Sequence, residues 1–208
     1  VHTVLWRVGS AEALDFWEKR LTDLGHHAER TDEGLALTDP EGLRHLLSVS
    51  TVEDPPLSAA HPDIPPEFAL QGFEGARAFS AAPGASEVLL GEGLGFERKD
   101  DVWEARGETR GGTYAYDAPP PEPGLQGAGS VHHIAWASKP EDLDSWRERV
   151  MQAGATPTPQ IDRFYFKAVY FPEPSGVLFE LSSLGPGFTV DEPVEKLGEK
   201  LSLPPDYE

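Results

Sequence analysis

Apolar and polar positions recur in the same order at two places in the chain. Val1-His2-Thr3-Val4-Leu5-Trp6 is a short β-branched and aromatic run that reads as a strand. A polar turn follows, then a segment in which Leu14 and Trp17 stand three apart on one helical face, and Gly25 stops that helix. Val131-His132-His133-Ile134-Ala135-Trp136 opens a second passage of the same kind, with Leu143 and Trp146 on the helix and Gly154 as the stop. With one gap the two passages align almost throughout, Trp6 with Trp136, Leu14 with Leu143, Trp17 with Trp146 and Gly25 with Gly154. The Trp and Leu positions are core residues on this pattern.

Extended segments follow each helix, over 34–38 and 43–49 in the first copy and 160–171 and 176–182 in the second. Asp39-Pro40-Glu41-Gly42 and Glu173-Pro174-Ser175-Gly176 are matching hairpin turns. The repeated unit is therefore strand, helix and three strands, an α+β module of the form βαβββ. A weaker middle copy has a strand at 73–80, a helix around 85–91 and strands near Phe96, Val102 and 113–116. The expected organisation is a module at 1–53, a Pro-rich linker at 54–68, a degenerate module at 69–118, a linker at 119–128, a third module at 129–190 and a tail at 191–208. That tail reads as a short helix followed by Leu203-Pro204-Pro205, lying on the surface of the core.

Composition narrows the chemistry. The 208 residues carry a formal charge of −19, which repels a phosphate backbone and makes nucleic acid an unsuitable partner. No apolar run approaches a membrane span. The absence of cysteine removes disulfides, thiolate ligands and cysteine nucleophiles, so a bound metal must use His, Asp or Glu. It also fits a reducing cytoplasm, the expected location. Gly91-Glu92-Gly93-Leu94-Gly95 lacks the spacing and the Lys-Ser/Thr ending of a phosphate loop.

The remaining candidates are imidazoles and one acid. In the last copy His132 and His133 lie on the first strand, and Glu180 sits between Phe179 and Leu181 on the last. An acid in that setting is costly to bury without a partner. Strand alternation puts the two histidines on opposite faces, so one of them faces a metal, and spacing alone does not say which. His26, His27, His45 and His61 read as solvated or capping residues, His45 aligning with Phe179 and not with Glu180.

These residues carry a resemblance. βαβββ modules with a His on the first strand and a Glu on the last resemble the vicinal oxygen chelate superfamily. VHHIAW, IDRFYFKAVYFPEPSGVLFELSSLGPGFTVDEP and LGEKLSLPP look like the last module and tail of its ring-cleaving dioxygenases, a group that includes hydroquinone dioxygenases and proteins of the glyoxalase/bleomycin resistance type. The resemblance implies repeated modules forming curved open sheets. It also implies Fe(II), with Mn(II) as the other candidate, held by two His and one Glu, a set that leaves coordination positions free for a small aromatic substrate and dioxygen.

Carried over by position, His133 and Glu180 are the metal ligands that the resemblance implies. His132 is then the neighbouring His that points at substrate or orients a ligand. Arg163 and Tyr170 face the substrate, a guanidinium for a phenolate or peroxide oxygen and a phenol for proton donation. Read without the resemblance, Arg163 pairs equally well with Asp162 and Tyr170 with its sheet neighbours.

At the ligand positions the first copy has Thr3 and Leu46, and the middle copy has Gly75 near the His slot. Family members carry a further N-terminal module that donates the remaining His, whereas this chain opens with Val1 inside a strand. The expectation is a truncated form, or a site completed by a complementing module or by a second copy in a homo-oligomer. The expected function is Fe(II)-dependent extradiol-type cleavage of a hydroquinone or catechol. The alternatives are a glyoxalase-like metal-dependent isomerase or lyase and a non-catalytic binding protein of the bleomycin-resistance type.

Overall fold

Ser10 opens the first helix of the computed structural model, its Oγ accepting the Ala13 N–H at 3.2 Å, so that β1 (Thr3–Val8) passes directly into α1 (Ala11–Asp23). The structure describes residues 1–122 and 124–207. Pro123, in the second Pro-rich joint, and Glu208, at the end of the expected tail, lie outside the described residues. The chain divides into two compact units, one made of residues 1–81 and 96–131 and the other of residues 82–95 and 132 onward.

In the first unit, Gly25 takes a left-handed φ of 81° and ends α1 where the repeat places the stop. Three strands follow, β2 (Ala28–Thr31), β3 (Gly34–Thr38) and β4 (Arg44–Val49). The middle stretch adds β5 (Phe73–Phe79), β6 (Glu97–Lys99), β7 (Val102–Arg106) and β8 (Gly111–Asp117). All eight form one sheet in the order β2-β3-β4-β1-β5-β8-β7-β6. At its centre β1 runs parallel to β4 and antiparallel to β5.

Val8, Leu35 and Leu47 pack with Ala13 and Leu14 of α1, and Trp6 and Trp17 close the cluster. Trp17 keeps its indole N–H satisfied on the Phe68 carbonyl at 2.8 Å. Gly34 is required where it stands: its φ is 146°, and a Cβ there would lie 2.0 Å from the Leu47 carbonyl oxygen.

The second unit repeats the plan with fewer strands. β9 (Ile134–Ser138) leads through a 3₁₀ turn at Pro140–Asp142 into α2 (Leu143–Gln152). β10 (Ile161–Asp162), β11 (Phe166–Pro172) and β12 (Leu178–Pro186) complete a sheet in the order β10-β11-β12-β9. β12 is parallel to β9, as β4 is to β1. Among the described residues β9 has no ladder on its other edge, the edge on which β1 holds β5. The architecture is α+β with curved sheets that do not close, as the sequence implies.

Two expected helices change form. The glycine-rich passage 83–95 makes a 3₁₀ turn (Pro83–Ser86) and a π turn (Leu89–Gly93), with Gly93 so close to α2 that a Cβ would sit 2.9 Å from that of Ala153. The tail forms isolated 3₁₀ turns at Phe188–Val190 and Val194–Lys196, because Gly187, Pro193 and Gly198 interrupt any longer helix. Among the described residues no helix is long and apolar enough to cross a membrane.

The most buried charge in the first unit is Arg7, at 1 % exposure. Its Nη1 donates to Asp54 at 2.6 Å, its Nε to Glu74, and its Nη2 to the Gly111 carbonyl at 2.8 Å. Burial works against the Asp54 carboxylate, but Arg7, the Gly111 N–H and Arg106 outweigh it and hold its pKa at about 2. Because that value lies below the ordinary 3.8, the stabilisation is full above pH 4 and is lost as pH falls toward 2. Removing the cation strands two acids, so Arg7→Met is expected to lower unfolding free energy by about 3–5 kcal/mol. Urea titration at pH 7 and at pH 3 checks this: the deficit should be smaller at the lower pH.

Candidate active site

The parallel pairing of β12 with β9 sets Glu180 beside Ala135, and the antiparallel pairing of β12 with β11 sets it opposite Tyr170. His133 lies two residues before Ala135, in the extended lead-in to β9, and its ring comes to the same place. The distances bear this out. His133 Nε2 is 2.7 Å from Glu180 Oε2, and the His133 and Tyr170 rings meet edge-on with centroids 6.0 Å apart. Arg163, at the start of the turn between β10 and β11, stands over the Tyr170 ring at 5.3 Å and bonds its phenol.

Glu180 is 2 % exposed, and its second oxygen accepts the Ser182 hydroxyl at 2.9 Å. The His133 side chain is 34 % exposed. A carboxylate buried beneath a half-open imidazole leaves the outer side of the pair accessible. Burial pushes the Tyr170 phenol above its ordinary value; the Arg163 bond opposes that shift and the Glu180 charge adds to it. Arg163 is itself raised by its bond to Tyr170.

His132 lies beside the His133 ring. The ladder of β9 begins at Ile134, so both histidines lie in the extended lead-in, where strict alternation does not hold. Their Nδ1 atoms are 2.9 Å apart, with the rings perpendicular. The structure therefore brings together His132, His133, Arg163, Tyr170 and Glu180. Ser182 is a contact that sequence reading missed, although its place two residues beyond Glu180 on one strand puts it on the same face.

Imidazole and carboxylate suit a divalent cation of the first transition row. The 2.7 Å between Nε2 and Oε2 is close to the spacing of about 3 Å that two donors on adjacent positions of one ion keep. The pair fits as two of the ligands. Among the described residues no group of three His, Cys, Asp or Glu side chains could hold a metal. In the first unit the register gives the matching positions as Thr3 and Leu46, neither a ligand in this setting. A shallow cleft of about 640 Å³ there is lined by Asp54, Lys99, Glu104 and Arg106, which are paired with one another or with Arg7. Its lining includes no histidine.

Comparison with known proteins identifies the family. The model of the Glyoxalase/Bleomycin resistance protein/Dioxygenase superfamily matches residues 1–181. The chain belongs to that superfamily.

Within the superfamily it is 38% identical over 205 residues to the Bacillus subtilis protein named "Putative ring-cleaving dioxygenase MhqO", covering 94% of this chain and 65% of that one. It is 31% identical over 166 residues to the chlorohydroquinone/hydroquinone 1,2-dioxygenase of Sphingobium indicum, with 71% and 49% covered. A crystal structure titled as a "putative dioxygenase" from Bacillus subtilis superposes with a TM-score of 0.87 at 34% identity, over 100% of this chain and 69% of that one. The chain thus spans about two thirds of the length of the Bacillus relatives and about half of the Sphingobium enzyme.

The internal repeat supplies its own control. Leu46 occupies the position of Glu180 in the first copy and is equally well buried. Glu180→Leu is therefore expected to fold and to match or exceed the parent in thermal midpoint, because it removes a buried charge and leaves His133 partly solvated. A calorimetric scan showing a drop of more than about 5 °C would make Glu180 a structural residue.

Proposed function

We propose that this chain carries the substrate-binding and most of the metal-binding residues of an Fe(II)-dependent, extradiol-type dioxygenase acting on a hydroquinone or catechol. The observation that supports this reading is the buried Glu180 paired with His133 and faced by the Tyr170–Arg163 pair. The names of the relatives point the same way. A complementing module or a second copy of the chain supplies the remaining metal ligand. A reducing cytoplasm is the setting that suits a chain without cysteine.

His133 and Glu180 would hold the metal. When bound, iron would supply the transfer of electrons between an electron-rich ring and dioxygen, which protein side chains do not provide. The residues of this chain do the rest. For Nε2 of His133 to face a cation, the ring proton must sit on Nδ1, and His132 Nδ1 is there at 2.9 Å to accept it. Ser182 fixes the other oxygen of Glu180, which limits rotation of the carboxylate.

Arg163 brings a positive charge to the Tyr170 side of the site, suited to a phenolate oxygen. Tyr170, with its pKa raised, keeps its proton near neutrality and acts there as a donor.

Anaerobic reconstitution with Fe(II), followed by oxygen uptake with hydroquinone and catechol panels, tests the reading. Uptake stoichiometric with ring cleavage is expected, with Glu180→Gln and His133→Ala each lowering it by about 100-fold or more. Substrate conversion without oxygen consumption would indicate a glyoxalase-like isomerase or lyase. Aromatic binding that survives Glu180→Gln, with no turnover, would indicate a non-catalytic binding protein.

A further inference from the structure

The tail is the part of the second unit that the proposed chemistry leaves unused, yet it is tied to the turn that carries Arg163. That turn is short: β10 ends at Asp162 and β11 begins at Phe166, leaving Arg163, Phe164 and Tyr165. Arg163 N–H donates to the Phe166 carbonyl and Tyr165 N–H to the Arg163 carbonyl, both at 2.8 Å. Phe164 sits at φ 69°, in the left-handed region where a bulky residue is out of place. Its N–H is held by Asp162 Oδ1 at 2.8 Å, which offsets part of the cost.

A strained turn keeps its shape when something outside it over-determines it. Here that is the tail. Tyr165 is buried, with 8 % exposure; its carbonyl accepts the Gly187 N–H at 2.7 Å and its hydroxyl donates to Asp191 at 2.9 Å. The Phe188 ring lies against the Tyr165 ring with centroids 5.2 Å apart. Three contacts from residues 187–191 thus fasten the residue that follows Phe164. Arg163 itself is exposed, with its guanidinium over the Tyr170 ring.

We infer that Tyr165 and Asp191 are positioning residues: the tail, through the Tyr165–Asp191 hydrogen bond, holds the strained turn that aims Arg163 at the substrate. This rests on the reading of Arg163 as a substrate-facing group. Neither Tyr165 nor Asp191 needs to touch substrate, and the effect passes through the backbone of the turn. With the bond gone, the turn samples open forms in which the guanidinium leaves the Tyr170 ring, so substrate affinity falls while the groups at the metal pair are undisturbed.

Trypsin reads the turn directly, since Arg163–Phe164 is its target bond and a tight turn must open before cleavage. In the full chain, Tyr165→Phe and Asp191→Ala are each expected to speed cleavage after Arg163 by about fivefold, the effect of one hydrogen bond, relative to cleavage sites in the first unit. Asp191→Asn keeps an acceptor for the phenol and should restore the parent rate. In the Fe(II)-reconstituted protein with hydroquinone, the two weakened variants should raise KM by a similar factor with kcat within about twofold.

Unchanged cleavage after Arg163 would overturn the inference. So would faster cleavage with an unaltered KM, or failure of Asp191→Asn to restore either property. If the parent shows no turnover at all, faster cleavage rescued by Asp191→Asn still supports the brace, and it is the dioxygenase reading that fails.

Discussion

A carboxylate withdrawn from water must find a cation or donors, and in the second unit that requirement falls on Glu173, Glu192 and, at the candidate site, Glu180. The acid sits on an interior strand with phenylalanine and leucine on either side, where the same position of the first copy holds Leu46. Packing alone would favour the leucine. What keeps the acid tolerable is the set of groups that the sheet delivers to it: His133 from the strand on one side, Tyr170 from the strand on the other and Ser182 from two residues along. Arg163 then follows Tyr170. The cluster is thus a consequence of strand pairing around one buried charge.

The first unit solves the opposite problem with the same scaffold. Its concentration of buried charge is a cation, Arg7, and the partners come from three separate stretches: Asp54 from the joint after β4, Glu74 from β5 and the carbonyl of Gly111 from β8. Each nitrogen of that guanidinium donates to a protein oxygen. In the second unit, by contrast, the His133 side chain that faces the buried acid is 34 % exposed. The two repeats differ in how their buried charges are answered by the described residues.

Much of this was legible beforehand. The spacing of Leu14 to Trp17 and of Leu143 to Trp146, with glycine after each, placed both helices, and the hairpin turns placed the strands around them. That one imidazole of the first strand would face Glu180 followed from the repeated unit, whereas the choice of His133 over His132 rested on the resemblance to ring-cleaving dioxygenases. Other features had no local signal. Arg7 looks like a surface residue in a strand until β5 and the joint fold over it, because its partners are 47 and 67 positions away. The left-handed backbone at Phe164 contradicts its residue type and had no local signal; it stands next to Tyr165, whose hydroxyl donates to Asp191. The helices expected around 85–91 and in the tail are turns in the structure, where glycine and proline interrupt the chain.

The two compact units are interleaved along the chain, since residues 82–95 leave the first and belong to the second before the chain returns at Phe96. On a ribosome this has an order attached to it. Leu89, Leu90 and Gly93 are synthesised some fifty residues ahead of Leu143 and Val150, with which they share the buried interior of the second unit. Until α2 has emerged, that apolar passage is left without its shelter, while the strands before and after it can already join the first sheet. Co-translational folding of this protein therefore passes through a stage in which a completed sheet trails an uncovered loop, a natural point of engagement for a chaperone.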